Sequence, residues 1–320
     1  MTGKLKDIPP DWDIEDDQSI LETGAVSYIK FMGRKLFQEY EPTQFDIFEN
    51  RLIDWLNNVD SKNDRQLMLY LLLNLFFVGR REFEALYRSI YSKIIAPWII
   101  DLCELNIFST KVDEELRQAI DESWICPITD SLRINSFLKV CGLKSMEYRP
   151  DWKSLEKFCD VEKVSGFIAK KEITRLILLE DFIGSGTQAM SVLKFIKANF
   201  PELNVLICPL IICPNGEEKI KNFTSQYKNF SYSAGISVPD SEILNLKEEV
   251  HETEETKKVR SFFQSLLPIL GISSLKCMYG FKSTGSQIVM YSNCPNNTLQ
   301  IYHHESKDWV PLFPRVIRRK

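Results

Sequence analysis

Histidine is scarce in this chain, with three in 320 residues, and the eight cysteines form no Cys-x-x-Cys pair. Those absences argue against a zinc site or a disulfide framework and for buried thiols in a reducing cytoplasm. Charge of one sign is also missing in bulk: a formal charge of −4 and a pI near 5.6 give no basic field for nucleic acid or an anionic membrane. The short Arg315–Lys320 tail is a basic patch of the kind that is usually just solvated. Long apolar runs are absent as well. The most apolar window, Leu67–Val78, spans 12 residues, short of the ~18 that a bilayer-crossing helix needs. Residues 1–17 carry two prolines and an acidic cluster. They lack the apolar core of a signal peptide and read as a disordered arm. What is present is globular composition, 44% hydrophobic and 26% charged, enough for one large or two ordinary domains.

Hydrophobic spacing divides the rest. From 18 to 113 apolar residues recur every three or four positions (Ile29, Met32, Leu36; Phe48, Leu52, Trp55), which predicts an all-α region. Leu67–Val78 is apolar nearly all round, so a buried central helix is expected there, and Pro97 is expected to kink the segment after Gly79. The region's basic and acidic residues alternate, which favours docking of a protein or ribonucleoprotein partner, or plain packing, over DNA reading. From 114 to 320 strands and helices alternate. Trp124–Ile128, Leu176–Leu179, Leu203–Cys213, Phe230–Val238 and Gln287–Tyr291 read as strands, so a parallel sheet flanked by helices is predicted.

One stretch carries chemistry. Leu176–Leu179 is a continuous apolar run suited to a strand buried on both faces. Glu180 and Asp181 follow where that strand leaves the sheet, then Phe182, Ile183 and the turn Gly184-Ser185-Gly186-Thr187-Gln188. Glycines permit close backbone approach, hydroxyls donate, and free amides open the next helix, which runs to about Asn199 before Pro201. This is the anatomy of a phosphate cradle at the carboxyl end of a strand, where open α/β sheets bind ligands.

A dinucleotide fingerprint would read Gly184-x-Gly186-x-x-Ala189, but the acid it wants about 20 residues on is replaced by apolar sequence. A Walker loop needs Gly-Lys-Ser/Thr, and no lysine stands here. The motif is also similar to the cofactor loop of amino-group DNA methyltransferases, with Asp181 where their proline belongs; their Pro-Pro-Tyr/Phe motif is missing, the only Pro-Pro being Pro9-Pro10. Leu178–Thr187 most resembles the signature of type I phosphoribosyltransferases, with Gln188 in place of a usual hydroxyl residue. With Pro295-Asn296-Asn297-Thr298 and Trp309-Val310-Pro311-Leu312-Phe313-Pro314-Arg315, it resembles the phosphoribosyltransferase-like domains of bacterial conflict systems, retron-type antiphage modules among them.

That resemblance implies a division of labour. Gly184–Gln188 would hold the 5-phosphate of phosphoribosyl pyrophosphate, and Glu180 and Asp181 the ribose hydroxyls. Thr129, Asp130, Ser131 and Arg133 would contact pyrophosphate; a turn capping a helix over Leu132–Val140 is the other reading of them. Lys144, Tyr148 and Arg149 fall in a segment where related enzymes carry a closing loop, and equally where exposed cations serve no catalysis. Asn296, Asn297 and Thr298 would reach the same sheet edge and the substrate; a plain polar turn accounts for them as well. His251 sits in a solvated charge run. His303 and His304, adjacent on a strand, would point opposite ways and make no metal pair. Trp309, Phe313 and Pro314 are expected to close the core. Magnesium would arrive with the donor's phosphates rather than by direct ligation. The function implied is a phosphoribosyltransferase acting as a toxic effector in antiphage defence, with a nucleotide-sensing module and an S-adenosylmethionine-dependent methyltransferase as alternatives.

Overall fold

The computed structural model describes residues 24–144, 161–247 and 252–316. The chain parts into two compact units, Met1–Arg80 with Ser241–Lys320, and Arg81–Asp240. These divide the chain elsewhere than the expected boundary at 113/114, and side-chain packing gives the reason. Phe313 lies 5.9 Å from Phe37 and from Phe77, and Arg51 donates to Leu312 O, so the C-terminal segment completes the core of the first helices. Trp55 likewise stacks on Tyr302 and donates to Ile301 O.

The first unit opens with α1 (Ala25–Lys35), α2 (Phe48–Leu56) and α3 (Lys62–Leu73). Leu67–Val78 is not one helix. It ends at Leu73, and Phe76–Val78 forms β1, which pairs in parallel with β7 of the same unit, Ile288–Met290. Apolar character was legible there, but a partner strand more than 200 residues away decided the backbone.

The second unit begins with α4 (Arg80–Ile90), a π-helical turn (Tyr91–Ile95) and α5 (Ala96–Leu102). Pro97 cannot donate to the carbonyl four residues back and its ring crowds that group; the widened turn just before it relieves both. Then come α6 (Val112–Asp121), β2 (Ser123–Pro127), α7 (Ile134–Val140), α8 (Val161–Lys170), β3 (Arg175–Ile183), α9 (Thr187–Asn199), β4 (Asn204–Ile212), α10 (Pro214–Thr224), β5 (Phe230–Tyr232) and β6 (Ile236–Ser237). The sheet is parallel throughout, in the order β2-β3-β4-β5, with β6 also on β4. Trp124, Cys126, Leu176, Leu178, Val205 and Ile207 cover one face and pack with Val164 of α8, Leu193 and Ile196 of α9, and Ile220 of α10.

Two details position the site. Phe230–Val238 is not one strand but two: β4 carries Pro209, which has no N–H, and Gly235 passes so close that a β-carbon there would lie 2.7 Å from Leu210 O. Arg175, at the start of β3, is buried and ties that strand to α6 and β2. It donates to Ser123 Oγ, Ala119 O and Glu122 Oε2, each at 3.0 Å. Arg175→Met is expected to lower stability by about 2–3 kcal/mol, since it strands buried acceptors; urea melts of the two proteins check this.

The chain returns to the first unit through α11 (Glu254–Leu270), capped by Thr253, whose hydroxyl accepts from Thr256 N–H. α12 (Leu275–Met278), β7 and α13 (Gln300–His303) follow. β7 pairs with β1 and not with the large sheet, which corrects the expectation that Gln287–Tyr291 adds a strand to that sheet. Among the described residues no helix is long and apolar enough to cross a membrane, and no disulfide joins the cysteines.

Candidate functional site

β3 runs from Arg175 to Ile183 with every residue buried, so it carries Glu180 and Asp181 inside the protein, at 4% and 3% exposure. Carboxyls so placed need partners. They find them in the turn after the neighbouring strand, β2. Thr129 N–H donates to Glu180 Oε2 at 2.8 Å and Thr129 Oγ1 donates to Glu180 Oε1. Ser131 Oγ reaches Asp181 Oδ1 at 2.8 Å and Glu180 Oε1 at 3.2 Å, and Asp181 Oδ1 also accepts Phe182 N–H at 2.8 Å. Thr129 and Ser131 therefore do not cap α7. That helix starts at Ile134, and no side chain caps it. Thr129 and Ser131 lie together with Glu180 and Asp181 through these bonds; Asp130, Ser131 and Arg133 are all exposed.

Proton counting within this cluster is informative. Four oxygen–oxygen contacts link Thr129 Oγ1, Ser131 Oγ, Glu180 Oε1 and Asp181 Oδ1, yet the two hydroxyls supply one proton each. A proton retained by the acid pair supplies a third, so the fully ionised pair is the form most short of donors. Burial raises the Glu180 pKa to about 8, with repulsion from Asp181 adding to it, and burial raises that of Asp181 to about 6. The two titrate as a pair. A folded-state pKa above the ordinary carboxyl range means that the folded protein holds a proton the unfolded chain has released. Stability is then full below about pH 4 and is lost as pH rises toward 8, by at most about 1.4 kcal/mol per pH unit per group. Thermal melts from pH 5 to 9 should show this decline in the wild type, and Glu180→Gln should flatten it.

The small-residue turn follows at once. Gly184, Ser185 and Gly186 are buried; Thr187 and Gln188 are exposed. Gly186 caps α9 at φ +72°, a conformation that a β-carbon disfavours. Ser185 Oγ and Thr187 Oγ1 lie 3.1 Å apart, and α9 has no acid in its first turn to compete with an anion for its amides. The first turn of α10 packs directly on this bend: a β-carbon on Gly216 would stand 2.6 Å from Gly184 O. Lys219 Nζ donates to Ser185 O at 2.7 Å. The sequence hinted at Gly216 through Pro214-Asn215-Gly216 after an apolar strand; nothing in it singled out Lys219, whose partner is 34 residues away.

Other expected residues have partners of their own. Asn297 Nδ2 donates to Phe281 O and Thr284 Oγ1, and Thr298 Oγ1 donates to Ile288 O. Both are buried, and together with Asn296 they belong to the first unit, where these bonds fix the turn after β7. Lys144 pairs with Asp121 at 2.6 Å. His303 is buried and its ring bonds Thr298 O; burial lowers its pKa to about 4. It ends the short helix α13, so the expectation of a strand at His303–His304 is also corrected. Trp309 and Phe313 are fully buried. Tyr148, Arg149 and His251 lie outside the described residues.

Among the described residues no three His, Cys, Asp or Glu side chains converge on a point where a metal could sit. Glu180, Asp181, Thr129 and Ser131 do offer the hard oxygens that magnesium takes, a fit that requires phosphate oxygens for most of the ligand set.

No curated protein and no solved structure matches the chain. The PRTase-CE family does, over residues 52–315, a span that includes the acid pair, the turn that holds it, the glycine bend and the return through β7. A match over so much of the chain makes this protein a member of the PRTase-CE family.

Proposed function

We propose that the second unit binds a phosphoribosyl donor or nucleotide, with the Glu180–Asp181 pair on the ribose hydroxyls and Gly184–Gln188 on the 5-phosphate. The observation that carries this reading is the meeting of the Thr129–Ser131 turn with the two acids at the carboxyl ends of adjacent strands. A sugar reaching the acids would replace the Thr129 and Ser131 hydroxyls as donors to them. The freed hydroxyls and amides would then face the pyrophosphate. Bond breaking between the anomeric carbon and pyrophosphate leaves an electron-poor ring, which the neighbouring carboxylates stabilise. Magnesium, when bound with the donor, neutralises the leaving group. Gln188, an amide where a hydroxyl is usual, donates from longer reach.

The test is direct. The purified chain is incubated with phosphoribosyl pyrophosphate and magnesium, alone and with candidate bases or nucleotides, and pyrophosphate release is followed. Release above the uncatalysed rate is the expected result; none under any acceptor condition counts against transfer. One observation favours a second reading, a nucleotide sensor without turnover: both acids are closed off by their own turn at under 5% exposure. A sensor would bind nucleotide tightly and release no pyrophosphate. Methyl transfer is not carried forward, given the family.

A toxic role in antiphage defence belongs to the same proposal and is supported by the resemblance of Glu180–Gln188 and Trp309–Arg315 to domains of conflict systems. Growth arrest on expression in bacteria, relieved by Asp181→Asn, is its expected signature. Docking of a protein or ribonucleoprotein partner on the helical N-terminal region is supported by the exposed Tyr28, Phe31, Phe45 and Ile47.

A further inference from the structure

A groove of ≈ 850 Å³ runs between α9 and α10 on the outer side of the glycine bend. Its charge is one-sided. Lys194 and Lys219 line it, no carboxylate does, and neither lysine has an ion pair among the described residues. Helix α9 contains no acid at all over its 13 residues. In a chain of net charge −4 this is a local inversion of sign. A second groove, between α3 and α11 in the other unit, shows the contrast: there Lys257 and Lys258 face Asp64 and Glu254, and Lys257 is paired with Glu254 at 2.7 Å.

Neutral polar side chains line the groove with the two lysines. The hydroxyls of Thr187 and Ser191 come from α9, and the amides of Asn222 and Gln226 from α10 and the turn after it. Met190, Phe223 and Tyr227 give the groove an apolar part. Cations converging with hydroxyl and amide donors suit phosphate oxygens, and the apolar part suits a flat ring or sugar face.

We propose that this groove, which shares Thr187 with the bend but does not include the acid pair, is a second binding site that takes a nucleoside triphosphate with its phosphates between Lys194 and Lys219. Lys219 also donates to Ser185 O, so an anion that recruits it loosens one tether of the bend. The site is therefore placed to regulate the turn without touching Glu180 or Asp181.

Equilibrium dialysis with radiolabelled ATP in magnesium-free buffer tests this. Wild type should bind ATP, and unlabelled pyrophosphate should displace it. Lys194→Glu should weaken binding about tenfold or more, the loss of a charge-assisted contact, and Lys194→Arg should restore it. Lys194 is exposed, so an unchanged thermal melt serves as the folding control. Wild type failing to bind at millimolar ATP, Lys194→Glu binding normally, or pyrophosphate failing to compete overturns the proposal. Absence of phosphoribosyl transfer would leave these dialysis results unchanged, so the two readings fail separately.

Discussion

Asp181→Asn is expected to reduce pyrophosphate release by about 100-fold or more while changing donor affinity by less than about tenfold. The replacement keeps the shape of the side chain and its acceptor toward Ser131 Oγ and Phe182 N–H, so the turn after β2 stays in place. What it removes is negative charge beside a ring that becomes electron-poor only as the bond to pyrophosphate breaks. An interaction strengthened in the transition state appears in kcat, and removing one such preorganised electrostatic partner typically costs 10²–10³. Glu180→Gln should also lower kcat, and it should reduce the pH dependence of stability to the part that Asp181 contributes. Steady-state kinetics with a coupled pyrophosphate assay would separate kcat from KM. Equal kcat in wild type and both variants would remove the acids from the chemistry and leave them as binding or structural groups.

Gly216→Ala is expected to have the largest effect on the fold of the site. The added carbon would meet Gly184 O at 2.6 Å, Ile183 Cγ2 at 2.9 Å and Gly186 N at 3.3 Å. Two of those three atoms are backbone, so no rotamer change relieves the clash. Gly186 has no room either: its own β-carbon would lie 3.0 Å from Gly216 Cα, at a positive φ. Either the first turn of α10 lifts away or the bend does. Overpacking of this kind costs about 1–3 kcal/mol, and the bend that would cradle phosphate is displaced along with it. A lower denaturation midpoint and loss of donor binding are therefore expected together. Gly166→Ala is the control. It lies inside α8 with nothing within 4 Å of the added carbon, so about 0.5–1 kcal/mol of stabilisation is expected there from helix propensity. Destabilisation of both variants alike would show that the close approach at Gly216 is not the cause.

Much of the large sheet could be read before any coordinates. Leu176–Leu179 and Leu203–Cys213 are unbroken apolar runs bounded by polar residues, and in a parallel sheet covered on both sides nothing else satisfies such a run. The acid pair and the glycine bend were legible for the same reason, since a strand that stays apolar up to Glu180 must end near it. Elsewhere local pattern misled. Leu75–Val78 has the composition of a helix end, yet β7 claims Phe76–Val78 as a partner. Thr129 and Ser131 have the look of a helix cap, yet their hydroxyls turn to carboxyls some 50 residues on. Asn297 and Thr298 look like substrate donors, yet their hydrogen bonds go to the first unit's own backbone and to Thr284.

Periodicity and the order of residue types along the chain determined that there would be a buried parallel strand, two acids at its end and a tight glycine bend opening a helix. Those features depend on neighbours a few positions apart, whose spacing the chain itself enforces. Tertiary structure alone decided that the acids are sealed by the turn after β2, that Gly216 and Lys219 brace the bend, and that residues 252–316 complete the core of the N-terminal helices. The bonds of Thr129 to Glu180, Lys219 to Ser185 and Arg51 to Leu312 join groups 34 to 261 residues apart, and such contacts are chosen by competition for burial and hydrogen-bond partners across the folded chain.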